Sequence, residues 1–182
     1  SKQFFHYLPT LQLKKQQLQI KILEARQRLE AKRKALQDKE SALSSWIGLL
    51  ADPAVHSPLG WDEEPPEKID LKRWIHPHSV LTGSLNIAGA SIPFLKDIRF
   101  NEPDYDFYST PLWIDAAVAE LRQVMAFLVE MEVIKRQIAI LQHELRITTQ
   151  RVNLFEKIKI PESQEAIRMI RGGGKKAGAA EK

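Results

Sequence analysis

Cysteine is absent from this 182-residue chain, which excludes disulfide bonds and thiolate metal ligands. A reducing compartment is compatible with that absence but is not required by it. No uninterrupted apolar run approaches the roughly 20 residues that a membrane-spanning helix needs, and the first residues do not form a signal-peptide pattern. These absences predict a soluble protein.

Motifs for catalysis, cofactor binding and metal binding are also lacking. Gly172–Gly174 precede lysines but follow a predicted helix and lack the Ser or Thr of a phosphate-binding loop. His76 and His78 flank a proline without a third ligand at suitable spacing. Glu63 and Glu64 lie among prolines, where a solvated acidic loop is the simpler interpretation. We therefore predict no catalytic, cofactor or metal site.

Charge is unevenly distributed along the chain. Residues 1–51 carry ten Lys and Arg against four Asp and Glu, whereas residues 52–111 carry five against ten, and residues 112–182 carry twelve against nine. The basic residues of the first segment could neutralise phosphates, but few aromatic side chains accompany them and glutamates interrupt them. A solvated or protein-facing surface is the favoured interpretation, and nucleic-acid binding is the weaker alternative.

A seven-residue repeat covers the first fifty residues. Alternating steps of four and three residues give fourteen positions, eleven of them apolar. Such a 3.5-residue period over about six heptads is typical of a coiled coil. The positions are Phe4, Leu8, Leu11, Lys15, Leu18, Ile22, Ala25, Leu29, Lys32, Leu36, Lys39, Leu43, Trp46 and Leu50.

A second apolar stripe begins after Thr110 and Pro111, which suit the N-cap and the first position of a helix. Its spacing slips near Met131 and Ile134, where two successive three-residue steps would overwind a coiled coil. The stripe contains Ile114, Val118, Leu121, Val124, Leu128, Met131, Ile134, Ile138, Leu141, Leu145, Thr148, Val152 and Phe155. Two such stripes predict a mainly α-helical, antiparallel two-helix coiled coil.

The middle of the chain has a different pattern. Prolines and acidic residues in 53–77 predict an irregular loop with a short helix near Asp70 to Trp74. The β-rich runs 79–87 and 90–100 flank Ala88-Gly89 and predict a hairpin, with Pro93 at an edge or bulge. We thus divide the chain into a helix (1–51), a central loop and hairpin (52–111), a second helix (112–171) and a disordered Gly/Lys/Ala tail (172–182).

Three segments resemble the D-subunit family of V/A-type ATPases, in its bacterial branch. Residues 148–162, TTQRVNLFEKIKIPE, are similar to the family pattern TTQ-(K/R)-VN-LxE-K-(V/I)-x-IP. The matching residues are Thr148, Thr149, Gln150, Val152, Asn153, Glu156, Lys157 and Pro161. Residues 86–89, with Asn86, Ala88 and Gly89, resemble the family's NIAG turn, and residues 8–15 resemble its LP-(S/T)-L-x-LK run. The resemblance covers residues 4 to about 171; family members extend further at both ends, and segment 53–78 has no clear counterpart.

The resemblance implies a non-catalytic central rotor stalk that couples ATP hydrolysis or synthesis to rotation of a membrane ring. It implies partners of the A and B types in the catalytic ring, an F-type stalk partner and a C/d-type adapter on the membrane ring, with a cytoplasmic location peripheral to the membrane. No cofactor, small-molecule ligand or nucleic acid is expected. Arg26, Arg28 and Arg33 are candidate ring-facing residues, and Pro161 is expected either to bend the second helix or to mark a helix end. A free-standing coiled-coil scaffold is the alternative.

Overall fold

The computed structural model describes residues 2–50, 71–104 and 113–179. Helix α1 covers Lys2–Leu50 and a short helix α2 covers Leu71–Ile75. Strands β1 (Pro77–Ile87) and β2 (Ala90–Phe100) follow, and helix α3 covers Trp113–Ala179. The predicted class, mainly helical with two long helices and a small β-hairpin between them, is confirmed. Residues 53–70 of the predicted acidic loop and the proposed cap at Thr110 lie outside the described residues.

The chain divides into two compact units. The first contains α1 up to Ile22 and α3 from Leu141 onward. Leu18 and Leu141 are almost completely buried in this unit, at 0% and 1% exposure. Lys14 Nζ lies 2.7 Å from Glu144 Oε1, and Gln12 Nε2 donates to Glu156 Oε1 at 3.4 Å. Two helices of one chain joined in this way are antiparallel.

The second unit contains residues Leu23–Ile140. Ala25 of α1 packs with Ile134 and Ile138 of α3, and Leu29 covers the cluster. Ion pairs join Lys32 to Glu130 and, at 3.1 Å, Lys39 to Glu120. As the number rises along α1 it falls along α3, so the helices are antiparallel in this unit as well.

Burial follows the seven-residue repeat along α1. Every repeat position from Leu8 to Leu43 is buried or half-buried, including the three lysines that interrupt the apolar series. Two of these, Lys32 and Lys39, pair with glutamates of α3. Charged groups at seam positions tend to fix the register of a coiled coil, because another register would leave them without partners.

One seam position of α3 was predicted wrongly. Leu128 is 42% exposed, and the half-buried Phe127 takes the inward position between Val124 and Met131. The inward steps are therefore Leu121, Val124 and Phe127, so the slip in spacing falls one turn earlier than expected. Phe127 lies beside residues of β2. The helix periodicity could not predict this contact.

The hairpin follows the predicted strands closely. Ile87 pairs with Ala90 next to the turn, and the antiparallel register continues to Pro77 and Phe100. Register shifts fall between Pro77 and Ser79 and between Leu81 and Thr82. Pro93 pairs regularly with Ser84 in a sheet that has two strands among the described residues, so of the two predicted positions it lies on an edge strand and not at a bulge.

Helix α2 fixes the base of the hairpin. Its Trp74 packs with Ile114 and Val118 of α3. Arg122 of α3 donates from Nε to the Trp74 carbonyl oxygen at 2.8 Å and from Nη2 to the Asn101 carbonyl oxygen. One arginine thus ties together the residues that precede β1 and those that follow β2.

Helix α3 continues further than the sequence suggested. It passes through Pro161 and Gly172–Gly174 to Ala179, so residues 172–179 are helical where we expected a disordered tail, and Pro161 does not end the helix. A glycine costs about 1 kcal/mol relative to alanine in a helix but does not block it sterically. The neighbouring Lys and Ala residues are good helix formers, which is consistent with the continuation.

Candidate functional site

The turn of the hairpin is a tight two-residue loop. Ala88 has φ 50° and Gly89 has φ 84°, so both central residues are in the left-handed region that a type I′ turn requires. The Gly89 amide donates to Asn86 Oδ1 at 3.1 Å. Glycine adopts this conformation without steric cost, whereas alanine does not. The NIAG segment therefore encodes the turn through Asn86 and Gly89, and Ala88 is its strained member.

Ala88→Asn should stabilise the hairpin by about 0.5–1 kcal/mol, because asparagine tolerates the left-handed region better than alanine. Ala88→Val should weaken it, because a β-branched side chain is an outlier there. Amide hydrogen exchange at β1 and β2 would measure both effects. Slower exchange in the valine variant would contradict the turn geometry.

A buried glutamine joins the hairpin to both long helices. Gln137 of α3 is 5% exposed, and its Nε2 donates to the Pro93 carbonyl oxygen of β2 at 2.6 Å. Its Oε1 accepts from Arg28 Nη2 of α1 at 3.3 Å. A buried amide is costly unless it is hydrogen-bonded, and here both ends are used. We call Arg28, Gln137 and Pro93 the hairpin junction.

A groove of about 520 Å³ lies beside the hairpin junction, with a mainly apolar lining. The Lys32 ammonium lies 4.9 Å from the centroid of the Phe127 ring, within cation–π distance. The groove is lined by Arg28, Ala31, Lys32, Ala35, Phe94, Leu95, Phe127, Glu130, Val133, Ile134 and Gln137. Residues of β2, α1 and α3 thus line one groove. Because β2 lies there, Phe127 and not Leu128 is the inward residue of α3.

Gly83 makes room for an aromatic ring across the hairpin. A Cβ at this position would clash with Phe94 Cζ and would lie 2.7 Å from Lys96 Cε. Gly83 and Phe94 are direct cross-strand partners. The Phe94 ring therefore lies over the Gly83 backbone. This contact replaces the side-chain packing that a glycine cannot provide.

The three arginines proposed to face a ring have different surroundings. All three are exposed. Arg28 also belongs to the hairpin junction, and Arg33 Nη1 lies 3.4 Å from Glu30 Oε2 on its own helix. Lysines of α1 that also belong to the basic face, Lys14 and Lys32, pair with α3 glutamates. Part of the basic charge of α1 is therefore neutralised by glutamates of the same chain.

The family-motif residues of α3 are divided between two surfaces. Thr148 and Val152 are buried, Thr149 is half-buried, and Glu156 accepts from Gln12 of α1. Gln150, Asn153 and Lys157 are exposed and are spaced by three and four residues, so they share one outward face of the helix. Pro161 lies beyond them and is exposed.

The other predicted seam residues are buried or half-buried, as the seam prediction requires. Ile22 and Leu36 of α1 and Ile138 of α3 are buried. Half-buried positions are Leu11, Leu29, Leu43, Leu121 and Leu145. The hairpin junction itself escaped the sequence analysis, because a single glutamine beside a seam carries no periodic signal.

Within residues 2–50, 71–104 and 113–179, no three His, Asp or Glu side chains converge in a way that could hold a metal ion. In the same part of the chain, no helix is long and apolar enough to cross a membrane. The backbone N–H of His76 donates a hydrogen bond to the Lys72 carbonyl oxygen at 3.0 Å and so closes the last turn of α2.

Comparison with known proteins identifies the family. The sequence model of the family described as the ATP synthase D subunit matches residues 1–172. The V-type ATP synthase D subunit of Borreliella burgdorferi is 38% identical over 169 residues, covering 93% of this chain and 76% of the relative. The proteins of the same name from Chlamydia felis and Chlamydia pneumoniae are 32% and 31% identical, each covering 90% of this chain and 73% of the relative. The chain therefore belongs to the family of ATP synthase D subunits.

Proposed function

We propose that this chain is the non-catalytic central stalk subunit of a V-type ATP synthase, turning within a catalytic ring and linking it to a membrane ring. The observation that carries the proposal is the pairing of α1 with α3 in both compact units, in a chain whose relatives are named as D subunits of V-type ATP synthase. In this role the protein is located on the cytoplasmic side, at the periphery of the membrane. Its partners are the A- and B-type ring subunits, an F-type stalk protein and a C/d-type adapter.

A rotor must transmit torque without untwisting. Seam residues packed knob-into-hole supply stiffness within each unit, because core side chains in close contact resist deformation. The Lys14–Glu144 pair in one unit and the Lys32–Glu130 and Lys39–Glu120 pairs in the other fix the register of the two helices. Each surface pair contributes only a modest energy. The two helices resist sliding past each other mainly because a change of register would break all of these pairs together.

Exposed groups on α1 and α3 are the surfaces that partners would meet. Arg26, Arg28 and Arg33 present positive charge on α1. Gln150, Asn153 and Lys157 present a polar face on α3. Charges at such a surface select rotational positions through complementary and repulsive pairs with each ring subunit in turn. The hairpin, held by its junction, would in this role influence the hydrolysis rate.

Replacing Arg26, Arg28 and Arg33 together by glutamate should lower ATP hydrolysis and rotation in a reconstituted ring, because the sign of the α1 surface is reversed. Arg136→Glu is a matched control, since Arg136 is exposed on α3 and pairs only loosely, at 3.9 Å, with Glu132 of the same helix. Unchanged hydrolysis and rotation in the triple variant would sink the idea of a charged α1 bearing.

Arg28 also holds Gln137, so it must be tested separately. Arg26→Glu alone reverses one surface charge without touching the hairpin junction, whereas Arg28→Glu changes both the charge and the junction. If only Arg28→Glu lowers activity, the junction and not the surface charge is responsible. Co-purification of the tagged chain tests the wider proposal: recovery without A- and B-type ring subunits would overturn it.

A further inference from the structure

The base of the hairpin is held by one arginine of α3. Arg122 is half-buried, and its Nε donates to the Trp74 carbonyl oxygen at 2.8 Å, while its Nη2 donates to the Asn101 carbonyl oxygen. Trp74 precedes β1 and Asn101 follows β2. Asn101 Nδ2 also donates to the Arg73 carbonyl oxygen at 3.4 Å, so the two ends of the hairpin are joined to each other as well. A single side chain of α3 therefore contacts the chain on both sides of the hairpin.

The two acceptors match the shape of a guanidinium group. Nε and Nη2 lie on one edge of the group, and their N–H bonds point in nearly the same direction, so they can reach two neighbouring carbonyl oxygens together. Trp74 lies in the last turn of α2, where carbonyl oxygens lack partners within the helix. The Phe100 ring covers the guanidinium, with 5.1 Å between Arg122 Cζ and the ring centroid. Lysine, which carries its charge at a single nitrogen, could not reproduce this arrangement.

Apolar packing holds the same end of the hairpin against the same face of α3. Trp74 forms a buried cluster with Ile114 and Val118. These two residues and Arg122 are spaced by four residues, so they lie in one row along α3. The packing brings α2 to the helix, and the two bonds from Arg122 then fix where β1 begins and where β2 ends.

A second attachment lies further along α3, where Gln137 donates to the Pro93 carbonyl oxygen of β2. Residues 122 and 137 are fifteen positions apart, which corresponds to about 22 Å along a helix. A two-stranded hairpin alone is at best marginally stable, so its position depends on contacts with the rest of the protein. One contact point would let the hairpin pivot, whereas two separated points on one helix determine its direction.

We propose that Arg122 is a positioning residue, which fixes the direction of the hairpin relative to α3 so that the hairpin turns with the paired helices as one body. The inference deepens the proposed function, since it concerns how one element of the proposed rotor is carried. A hairpin that pivoted freely would present a changing surface to a partner at any given rotational position. Gln137 alone supplies a pivot, and Arg122 removes the remaining freedom.

Distances between two spin labels test this role. The chain has no cysteine, so His78→Cys on β1 and Lys135→Cys on α3, both at exposed positions, provide unique labelling sites. With Arg122 in place we expect one narrow distance distribution between the labels. Arg122→Met keeps a long side chain suited to a helix but removes both donors, so the narrow distribution should be lost. Arg136→Met, at an exposed arginine of the same helix and unit, should preserve it.

Two further measurements separate positioning from charge and from general stability. Arg122→Lys keeps the positive charge but offers no pair of donors on one edge, so it should not restore the narrow distribution. A narrow distribution in either Arg122 variant would overturn the proposal. Labels on Lys34→Cys of α1 and Lys135→Cys of α3, again both at exposed positions, should keep their distance in both variants. A change in that distance would mean that Arg122 supports the pairing of the helices as a whole, which would equally overturn the positioning role.

The purified complex connects this role to the proposed function. There Arg122→Met should again lose the narrow distribution between the labels at 78 and 135, and ATP hydrolysis by the reconstituted ring should fall with it, whereas Arg136→Met should leave both unchanged. Normal hydrolysis despite a lost distribution would overturn the claim that the direction of the hairpin matters to the rotor. Failure of the unaltered chain to assemble with ring subunits would instead overturn the proposed function, and the distances in the isolated chain would still decide whether Arg122 positions the hairpin.

Discussion

Leu18→Ala is expected to lower the free energy of unfolding by about 2–5 kcal/mol, the range found for large-to-small changes in well-packed cores. Leu18 is completely buried on the seam of α1, in the unit that α1 forms with the end of α3. The change removes packing contacts and leaves a cavity that two long helices cannot easily close. Urea unfolding followed by circular dichroism would measure the difference.

Leu13→Ala is the matched control for this substitution. Leu13 lies on the same helix and in the same unit but is 55% exposed, so the same chemical change should cost less than about 0.5 kcal/mol. Equal losses in the two variants would mean that the seam assignment is wrong. A loss confined to Leu18 that also lowers hydrolysis in the complex would link seam packing to torque transmission.

Gln137→Leu is expected to loosen the hairpin and to cost about 1–3 kcal/mol, because the Pro93 carbonyl oxygen and the Arg28 guanidinium both lose their partner. Leucine has a similar size but offers neither a donor nor an acceptor. Faster amide exchange along β1 and β2 would report the release of the hairpin. Gln123→Leu is the control, since Gln123 is exposed on the same helix and in the same unit.

Gln137→Glu separates the two bonds of the junction. A carboxylate keeps an acceptor for Arg28 and adds opposite charge, but it loses the donor to Pro93 and places oxygen against oxygen. We expect the hairpin to exchange as fast as in Gln137→Leu while the overall loss of stability is smaller. Normal exchange in both variants would show that Gln137 does not hold the hairpin.

These contacts also explain why helix periodicity misplaced one residue. Leu128 fits the apolar spacing as well as Phe127 does, since both lie within one turn of Val124 and Met131. The choice depends on β2, whose Phe94 and Leu95 line the same groove as Phe127. A repeat describes contacts between two helices but contains no information about a hairpin that packs beside them.

The sequence alone determined the two long helices, apart from the C-terminal end of α3, as well as the strands and the turn, because each of these has a strong local cause. Steps of three and four residues place apolar side chains on one helix face, and Asn86 with Gly89 favours a tight turn. The tertiary structure decided the rest: which polar groups are buried together, as at Gln137, and which α1 charges pair with residues of α3. Those outcomes depend on contacts between residues distant in sequence, which no local pattern records.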